Sequence, residues 1–517
     1  MAVGKYFILV DWNADGDYSD THDDITGDAL EVSWSRGRDY ASQLTGNTIS
    51  GRLSVTLINN DGKYSPSDTG SPLTGNLVPG RSVQIQAGEG LFPYTFPVSF
   101  EDVPRWTGRI DSITPSPSAD NLKTCVIEAF GVLGYLNQFP LQLATQTSRR
   151  TDVAVGDVLD GVGWPADDRT LDTGLTTIPR FWFAQTEVIE ALRQLQEAEA
   201  GFIMESKDGK VVFQNRYHRL TESTSTTSQA TFSDASGATN TYMALDQEDP
   251  ISTVVNHVEA QYISYSVASV AVLWTHPETG SDSPTLAPGQ TKTFEAVYPN
   301  RNAANDASEV NAWTTPAATT DILANTASDG TGTNKTSDIT IAASKTAERM
   351  AITLTNGSID TVYMTKIQAR GTAVSEDDPV IVRSIDTASK TKFGERKHVA
   401  ATPFFPSTSE AQAFCDYQVA LYESPISILT MTFTAATNDN IEPALNLDIS
   451  NRITIVATND AQLGLSGDFF IEAVSHRLAA GTTDHIVQWQ LSPVADGYDK
   501  FWVLGTSVLG TNTVPAY

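Results

Sequence analysis

The sequence predicts a mainly β protein with a few helices, in the α+β class. The polar residues are dominated by Thr, Ser, Gly, Asn and Asp, a composition that favours strands and turns. Segments such as GRLSVTLIN at 51–59 alternate apolar and polar residues with the period of two that is typical of a half-buried strand. Helical periodicity is clear in two segments only, residues 186–200 and 407–422.

Length and charge narrow the classes of function. A chain of 517 residues is long enough for roughly three or four domains. Its 33 basic and 62 acidic residues give a formal net charge of -29, which repels phosphate groups and disfavours nucleic-acid binding. Two cysteines, Cys125 and Cys415, are too few for a disulfide framework, so we expect buried free thiols. The amino-terminal segment resembles neither a signal peptide nor a membrane span, and we expect a soluble protein assembled in a cytoplasm.

Residues 1–145 contain a series of strand-like segments separated by clusters of Pro, Gly, Asn and Asp. Strands at this spacing predict a barrel or a sandwich. We expect the last strands of the chain to pair with the first, because a β-rich domain needs its edges closed.

Residues 146–264 form a second predicted domain with a helix and a hairpin. In TEVIEALRQLQEAEA, Thr186 is the expected start cap and Gly201 the expected end of the helix. Asp208-Gly209 then predicts a hairpin turn. The Ser/Thr-rich segment 221–250 is interpreted as a loop or linker.

Residues 265–374 read as an inserted β-sandwich-like module, with long surface loops at 305–336. Residues 375–517 form a carboxy-terminal segment that completes the β core. Its helix is expected to begin at Ser407, which makes a capping box with Glu410.

The stretch VDWNADGDYSD at 10–20 matches the first seven positions of an EF-hand calcium loop. Position 12 of such a loop is normally a bidentate Glu, but here it is His22, so Asp20 and its acidic neighbours would have to replace that ligand. The flanking KYFILVDW is a predicted strand, which disfavours a helix-loop-helix sensor. The hypothesis is a structural Ca²⁺, with no cofactor required for function. The predicted ligands are Asp11, Asn13, Asp15, Asp17 and Asp20.

The alternative is a turn without metal. NADGDYSD at 13–20 is echoed by NNDGKYSP at 59–66, where Leu57 and Lys63 stand at the positions of Asp11 and Asp17. The shared pattern N-x-D-G-x-Y-S predicts a turn in which Asn and Asp accept backbone hydrogen bonds, Gly takes a positive φ and Tyr packs alongside.

The sequence contains no phosphate-binding loop, dinucleotide fingerprint, nucleophile elbow or HExxH motif, so no catalytic residues are predicted. His476 and His485 lie on successive predicted strands and are expected to face each other as a pair of imidazoles rather than as a metal site. A polysaccharide hydrolase with two distant carboxylates stays open as an alternative.

Several segments together resemble tail hub, or baseplate hub, proteins of bacteriophages with long non-contractile tails. They are LVDWNADGDYSD, the run from VSWSRGRDY to NNDGKYSP, SPLTGNLVPGRSVQI, ALRQLQEAEAGFIMESKDGKVVFQNR, FGER, GDFFIEAVSHRL and FWVLGTSVLG. The resemblance covers 1–145, 186–220 and 375–517.

This resemblance implies a virion structural protein at the tail tip, built from two tail-tube-like β-barrel domains and the inserted module. Three chains would form a homotrimeric ring that adapts the sixfold tail tube to a threefold tip and lets DNA pass without specific binding. The implied partners are the distal tail protein, the tape-measure protein and tail-tip or fibre proteins. Residues 265–374 would decorate the ring or contact the host surface. The alternative within the virion is a distal tail or receptor-binding protein.

Overall fold

The protein is described by a computed structural model in which 29 strands and eight α-helices lie within the described residues. The mainly β prediction with a few helices is therefore confirmed. Among these residues, no helix combines the length and apolar character needed to cross a membrane. The described residues are 2–38, 48–91, 103–116, 122–278, 281–298, 307–400, 402, 404–435, 438–459, 463–479 and 485–494.

The first six strands surround one apolar core, which includes four buried aromatic side chains, Trp12, Trp34, Tyr64 and Trp106. We call these strands the first β-unit. Their bounds are β1 Ala2–Asp11, β2 Ala29–Arg38, β3 Thr48–Ile58, β4 Ser82–Leu91, β5 Val103–Ser116 and β6 Thr124–Phe130.

A mixed region follows, in which helices pack on short sheets around a second core. Strand β7 pairs with β9, and β10 and β11 form a hairpin that β8 extends. Gly209 in the hairpin turn has a φ of 80°, as the Asp208-Gly209 signal predicts. The elements are α1 Val132–Leu136, β7 Pro140–Arg150, α2 Thr151–Gly161, β8 Arg169–Leu171, β9 Thr177–Glu187, α3 Val188–Glu199, β10 Phe202–Glu205, β11 Val211–Gln214, α4 His218–Thr221 and α5 Ser223–Thr226.

Two strands, β12 Thr231–Ser233 and β13 Ala244–Glu248, then return to the main sheet, and β14 His257–Tyr262 begins a small separate sheet. The interpretation of 221–250 as a loop or linker is therefore wrong for both strands. Their pairing partners, β27 and β26, lie about 220 and about 185 residues further along the chain, so local composition carries no sign of them.

The next nine strands form two sheets around a core of their own. The predicted surface loops at 305–336 are wrong in part, because β19 and β20 pair with the long strand β23. The strands are β15 Tyr265–Val267, β16 Ala271–His276, β17 Thr285–Leu286, β18 Thr291–Val297, β19 Ala307–Trp313, β20 Ile322–Asn325, β21 Ile339–Lys345, β22 Arg349–Asn356 and β23 Val362–Glu376.

The last elements complete the small sheet and the main sheet. In helix α7 the Ser407 side chain accepts a hydrogen bond from the Glu410 backbone N–H, which confirms the predicted start. The FWVLGTSVLG segment lies outside the described residues. The elements are β24 Val380–Ile385, α6 Thr387–Phe393, β25 Lys397–Val399, α7 Thr408–Tyr422, β26 Ile428–Thr434, α8 Asn438–Asn446, β27 Arg452–Ala457, β28 Leu465–Ala479 and β29 His485–Pro493.

Helix α3 differs from its prediction at the start. Strand β9 continues through Glu187, so the predicted Thr186 cap belongs to the strand and the helix has no side-chain cap. At its end Ala200 takes a left-handed conformation with φ 54°, next to the predicted stop at Gly201.

The main sheet runs in the order β1-β4-β5-β6-β3-β2-β28-β29-β26-β13, with β27 on the edge of β28 and β12 on β27. The expected pairing of the last strands with the first is confirmed by β2 and β28. We call strands β12, β13 and β26–β29 the second β-unit. Its core includes Phe232, Phe433 and Trp489.

The two β-units share one topology. Numbered from one to six in chain order within each unit, the strands pair as one with four, four with five, five with six, six with three, and three with two. Strand five also carries a bulge against strand six at the same place, between Ile110 and Ser112 in β5 and between Ile471 and Ala473 in β28. The exception is the first pair, antiparallel in the first unit and parallel in the second.

Candidate functional site

The two β-units are joined by one strand pair, in which Glu31–Gly37 of β2 lie antiparallel to Ala473–Ala479 of β28. This pairing makes the two units one continuous sheet. We call it the seam. For a protein without a predicted catalytic site, the seam is the candidate functional feature, because it fixes how the two units are placed side by side.

Close backbone approach at the seam requires a glycine. Gly37 has a φ of 144°, and a Cβ placed there would lie 2.4 Å from the Cβ of Ala473. An L side chain rarely takes this conformation, and here it would also overlap the facing strand.

A line of aromatic and polar rings crosses the seam. Trp34 stacks on His476 with ring centroids 4.7 Å apart. His476 Nδ1 lies 2.9 Å from His485 Nε2, and His485 Nδ1 lies 2.5 Å from the Tyr6 hydroxyl. The predicted face-to-face histidine pair is therefore confirmed, and both imidazoles are buried.

Burial keeps these imidazoles neutral. It lowers the pKa of His485 to about 3, and together with the neighbouring His485 it holds the pKa of His476 well below its usual value. Because the folded protein favours the neutral imidazoles, protonation of either ring destabilises the pairing of β2 with β28.

The bulge in β28 places a carboxylate in the interior. Glu472 is fully buried, and its oxygens accept hydrogen bonds from Arg219 at 2.6 and 2.9 Å and from Ser492 at 2.6 Å. The Nε atom of Arg38, on β2, lies 3.1 Å from the same carboxylate. One acid thus ties β28 to both the seam partner strand and helix α4.

Burial alone raises the pKa of Glu472, but Arg219 and Arg38 outweigh it and hold the pKa at about 2. Arg219 is itself sandwiched between the rings of Phe202 and Phe470, 4.6 and 4.7 Å from their centroids. The carboxylate is therefore ionised at neutral pH and fully paired, as a buried charge requires.

Two cationic side chains from the first half of the chain contact the carboxyl end of helix α8, which packs on the core of the second β-unit. Arg105 donates to the carbonyl of Leu445, and Lys207 Nζ lies 3.0 Å from the carbonyls of Leu445 and Asn446. Positive groups at a helix carboxyl end satisfy its free carbonyls and favour its dipole. Burial lowers the pKa of Lys207 to about 8.

A second buried acid anchors the hairpin β10–β11 to the first unit. Glu205 accepts hydrogen bonds from the backbone N–H groups of Gly51 and of Leu133 at the start of α1. Burial raises the pKa of Glu205 to about 7. The nearby Gly131 has no room for a side chain, since a Cβ there would lie about 2 Å from this carboxylate.

The predicted calcium loop forms a network of side-chain hydrogen bonds. Asp11 is buried, and its carboxylate accepts from the backbone N–H groups of Ala14, Asp15 and Gly16 at 2.6, 3.2 and 3.1 Å. Gly16 has a φ of 94°. These features are those of the predicted Asx-rich turn.

The other predicted ligands are brought together only in part. The Asn13 side-chain amide donates to Asp15 at 3.0 Å and to Asp20 at 2.5 Å, whereas Asp17 accepts from the backbone and hydroxyl of Ser19. Among the described residues, no group of three or more His, Cys, Asp or Glu side chains is arranged to hold a metal ion. Calcium binding at this loop stays a prediction.

The echo at 59–66 has the predicted turn geometry. Asn59 accepts from the Tyr64 backbone N–H, Asp61 accepts from that of Lys63, and Gly62 has a φ of 77°. Tyr64 is fully buried, and its ring centroid lies 6.4 Å from that of Trp12. The two turns therefore pack against the same core.

Sequence reasoning missed the buried charges Glu472, Arg219 and Glu205. Arg219 lies 253 residues from Glu472, and Leu133 lies 72 residues from Glu205, so spacing along the chain gives no signal for these pairs. For the seam itself, one signal was available in the sequence. Gly37 lies inside the strand-like run VSWSRGR, and a glycine within a strand often marks a close approach of another backbone. Cys125 and Cys415 are free and buried, as expected.

The fold resembles that of a solved tail protein. No protein-family model and no curated protein sequence matches this chain. The tail protein from Neisseria meningitidis MC58 aligns over 95% of this chain and 98% of its own, with a TM-score of 0.50 and 10% identity. The prophage MuSo2 43 kDa tail protein from Shewanella oneidensis covers 94% and 98%, with a TM-score of 0.47 and 9% identity. Prophage tail protein gp18 from Listeria monocytogenes EGD-e covers 94% of both chains, with a TM-score of 0.41 and 8% identity. The resemblance to phage tail proteins is confirmed at the level of the fold.

Proposed function

We propose that the protein is a virion structural protein, a tail-tip hub that forms a trimeric ring between the sixfold tail tube and a threefold tip. The observation that carries this proposal is the repeated topology of the two β-units, placed edge to edge by the seam. Three such chains supply six equivalent units, which is the number needed to face a sixfold tube. The fold shared with a solved tail protein supports the same class of function.

The seam is built to keep the two units in one fixed relation. The buried Glu472–Arg219 pair and the Gly37 contact lock β28 against β2 and α4. A chain that adapts one symmetry to another has to hold its two copies of the repeated unit rigidly, and these buried contacts do so.

Passage of DNA through the ring is consistent with the charge of the chain. The formal net charge of -29 repels a phosphate backbone, so DNA would move past the protein without being retained. In this role the protein contacts the distal tail protein, the tape-measure protein and the tail-tip or fibre proteins. It acts as a component of the virion tail tip after assembly in the host cytoplasm.

The proposed role requires no catalysis. The buried acids Glu472 and Glu205 are occupied by arginine or backbone partners. The polysaccharide hydrolase alternative predicts new reducing ends when the purified chain is incubated with host-surface polysaccharide, and the hub proposal predicts none.

A second candidate role, host-surface contact, is favoured by the architecture of residues 265–376. Their strands surround a separate core, and the first and last strands pair with each other, Tyr265 opposite Glu376. Contact with the rest of the chain includes Thr145 Oγ1 to the Val310 carbonyl at 2.7 Å and Trp182 against Tyr265. Replacing 265–376 by a short linker should leave assembly intact and reduce adsorption to host cells if this module binds the host.

The hub proposal is tested by the mass of the purified full-length chain under native conditions. The expected result is a species of three times the 55.7 kDa chain mass. A chain that stays monomeric at every concentration, alone and with tail tubes, contradicts the proposal.

A further inference from the structure

We propose that neighbouring copies join through a second version of the seam, in which β13 of one copy pairs antiparallel with the edge of β5 beyond its pairing with β4 in the next copy. This inference rests on the proposed ring and adds the strand pair and register that would close it. It follows from the repeated topology, because each β-unit contains one strand equivalent to each partner of the seam.

Strand β5 is the equivalent of β28. In β28, Leu465–Phe470 pair with β27, and the same edge then pairs with β2 from Ala473 onward. In β5, Val103–Arg109 pair with β4. Beyond that point, among the described strands, residues 112–116 pair with β6 alone.

The equivalence extends to single hydrogen bonds. Ile471 bonds through its backbone to Ser450 and Asn451, where β27 begins. Ile110 makes the same pair of bonds with Gly80 and Arg81, where β4 begins. The edge that follows is paired with β2 in the second β-unit, whereas none of the described strands pairs with it in the first β-unit.

Strand β13 is the equivalent of β2. Both are second strands that pair with the third strand of their unit, β13 with β26 and β2 with β3. The other edge of β2 meets β28 at the seam. Among the described strands, β13 has no partner on that other edge.

The exposure of the two strands supports the pairing. Trp34 and His476 are buried at the seam, whereas the equivalent residues Gln247 and Pro115 are exposed in the single chain. Edge strands with unpaired backbone groups are templates for pairing with another chain. A contact between two different edges is heterologous, and its repetition produces a closed ring when the rotation between copies closes, as in the proposed trimer.

The seam also gives the register. Trp34 faces both Leu53 and His476, and the corresponding positions are Gln247, Leu429 and Pro115. The new ladder therefore places Asp246 opposite Ser116, Gln247 opposite Pro115, and Glu248 opposite Thr114 of the next copy. Pro115 can only accept a hydrogen bond, so the ladder relies on its neighbours for amide donors.

Cysteine crosslinking of the full-length chain tests this register. Asp246→Cys and Ser116→Cys lie on exposed residues, and the native Cys125 and Cys415 are buried. Mild oxidation of the double variant should give disulfide-linked dimers and trimers on a non-reducing gel. Mixing the two single variants should give a linked dimer, whereas each alone should give none, because the contact is heterologous.

The control pair is Asp246→Cys with Ser112→Cys. Its residues stand four positions out of register, about 13 Å apart along the strands, too far for a disulfide. A native trimer in which the Asp246/Ser116 pair stays reduced, or in which the control pair links instead, overturns the proposed strand pair while the hub proposal stands. A chain that never forms a ring overturns both.

Discussion

The first and second β-units have the same strand order but different surroundings at their fifth strands. In β28 the bulge residue Glu472 is buried among arginines, whereas the equivalent bulge residue of β5, Asp111, is exposed. The same topology therefore forms an internal joint at β28, whereas at β5 the corresponding edge has no partner among the described strands. Specific buried charge, rather than strand order, distinguishes the permanent joint.

The largest effect is expected from Glu472→Gln. It leaves the buried charges of Arg219 and Arg38 without their carboxylate, so the free energy of unfolding should fall by about 3–5 kcal/mol. Denaturant unfolding followed by tryptophan fluorescence measures the change. The matched control is Asp111→Asn in β5, which should change the stability by no more than about 0.5 kcal/mol. Equal losses of stability at the two positions would contradict the claim that the buried charge at Glu472 stabilises the seam.

The next effect is expected from Gly37→Ala. The added Cβ meets Ala473 across the seam and the φ of 144° is strained for alanine, so stability should fall by about 2–4 kcal/mol. Gly16→Ala is the control, because Gly16 also has a positive φ but has open space around its Cβ position. We expect about 1 kcal/mol for this control. Thermal unfolding by calorimetry compares the two variants. If Gly16→Ala lowers the stability as much as Gly37→Ala, the close contact with Ala473 is not the cause of the loss.

A smaller effect should appear as a pH dependence. His485 has a folded pKa of about 3, below its unfolded value near 6.5, so its neutral form is favoured in the fold. Its contribution is complete above pH 6.5 and is lost as the pH falls toward 3, by about 2 kcal/mol between pH 6.5 and 5. His485→Gln should flatten unfolding profiles in this window, and His22→Gln, which removes an exposed imidazole, should not. Identical profiles for wild type and His485→Gln would contradict the buried neutral pair.

The smallest effect concerns the two turns of the first unit. If the 11–20 loop binds Ca²⁺, millimolar calcium should raise the melting temperature of chelator-treated protein, because a ligand of the folded state stabilises it. Asp11→Asn should abolish that rise, and Asp61→Asn in the echo turn should keep it. If a calorimetric titration with Ca²⁺ gives no heat of binding, the calcium hypothesis is wrong and the loop is a turn without metal.

Local signals predicted local structure well. The capping pair Ser407 and Glu410, the Asp208-Gly209 turn and the alternation in β3 each report interactions between residues close in the chain. The turns at 13–20 and 59–66 belong to the same class.

Features that depend on distant partners could not be predicted. Strands β12 and β13 lie in a polar Ser/Thr-rich stretch and become strands because β27 and β26 pair with them. The repeated topology of the two β-units could not be recognised from the sequence for the same reason. Equivalent core positions such as Val55 and Met431 share burial but not residue type, and burial depends on the whole sheet.

The most direct test of the hub proposal is electron cryomicroscopy of the purified oligomer viewed along its axis. We expect three chains around an open channel, with six similar β-units joined alternately by seam and intersubunit contacts. A compact monomer, or a ring whose number of β-units is not six, would contradict it.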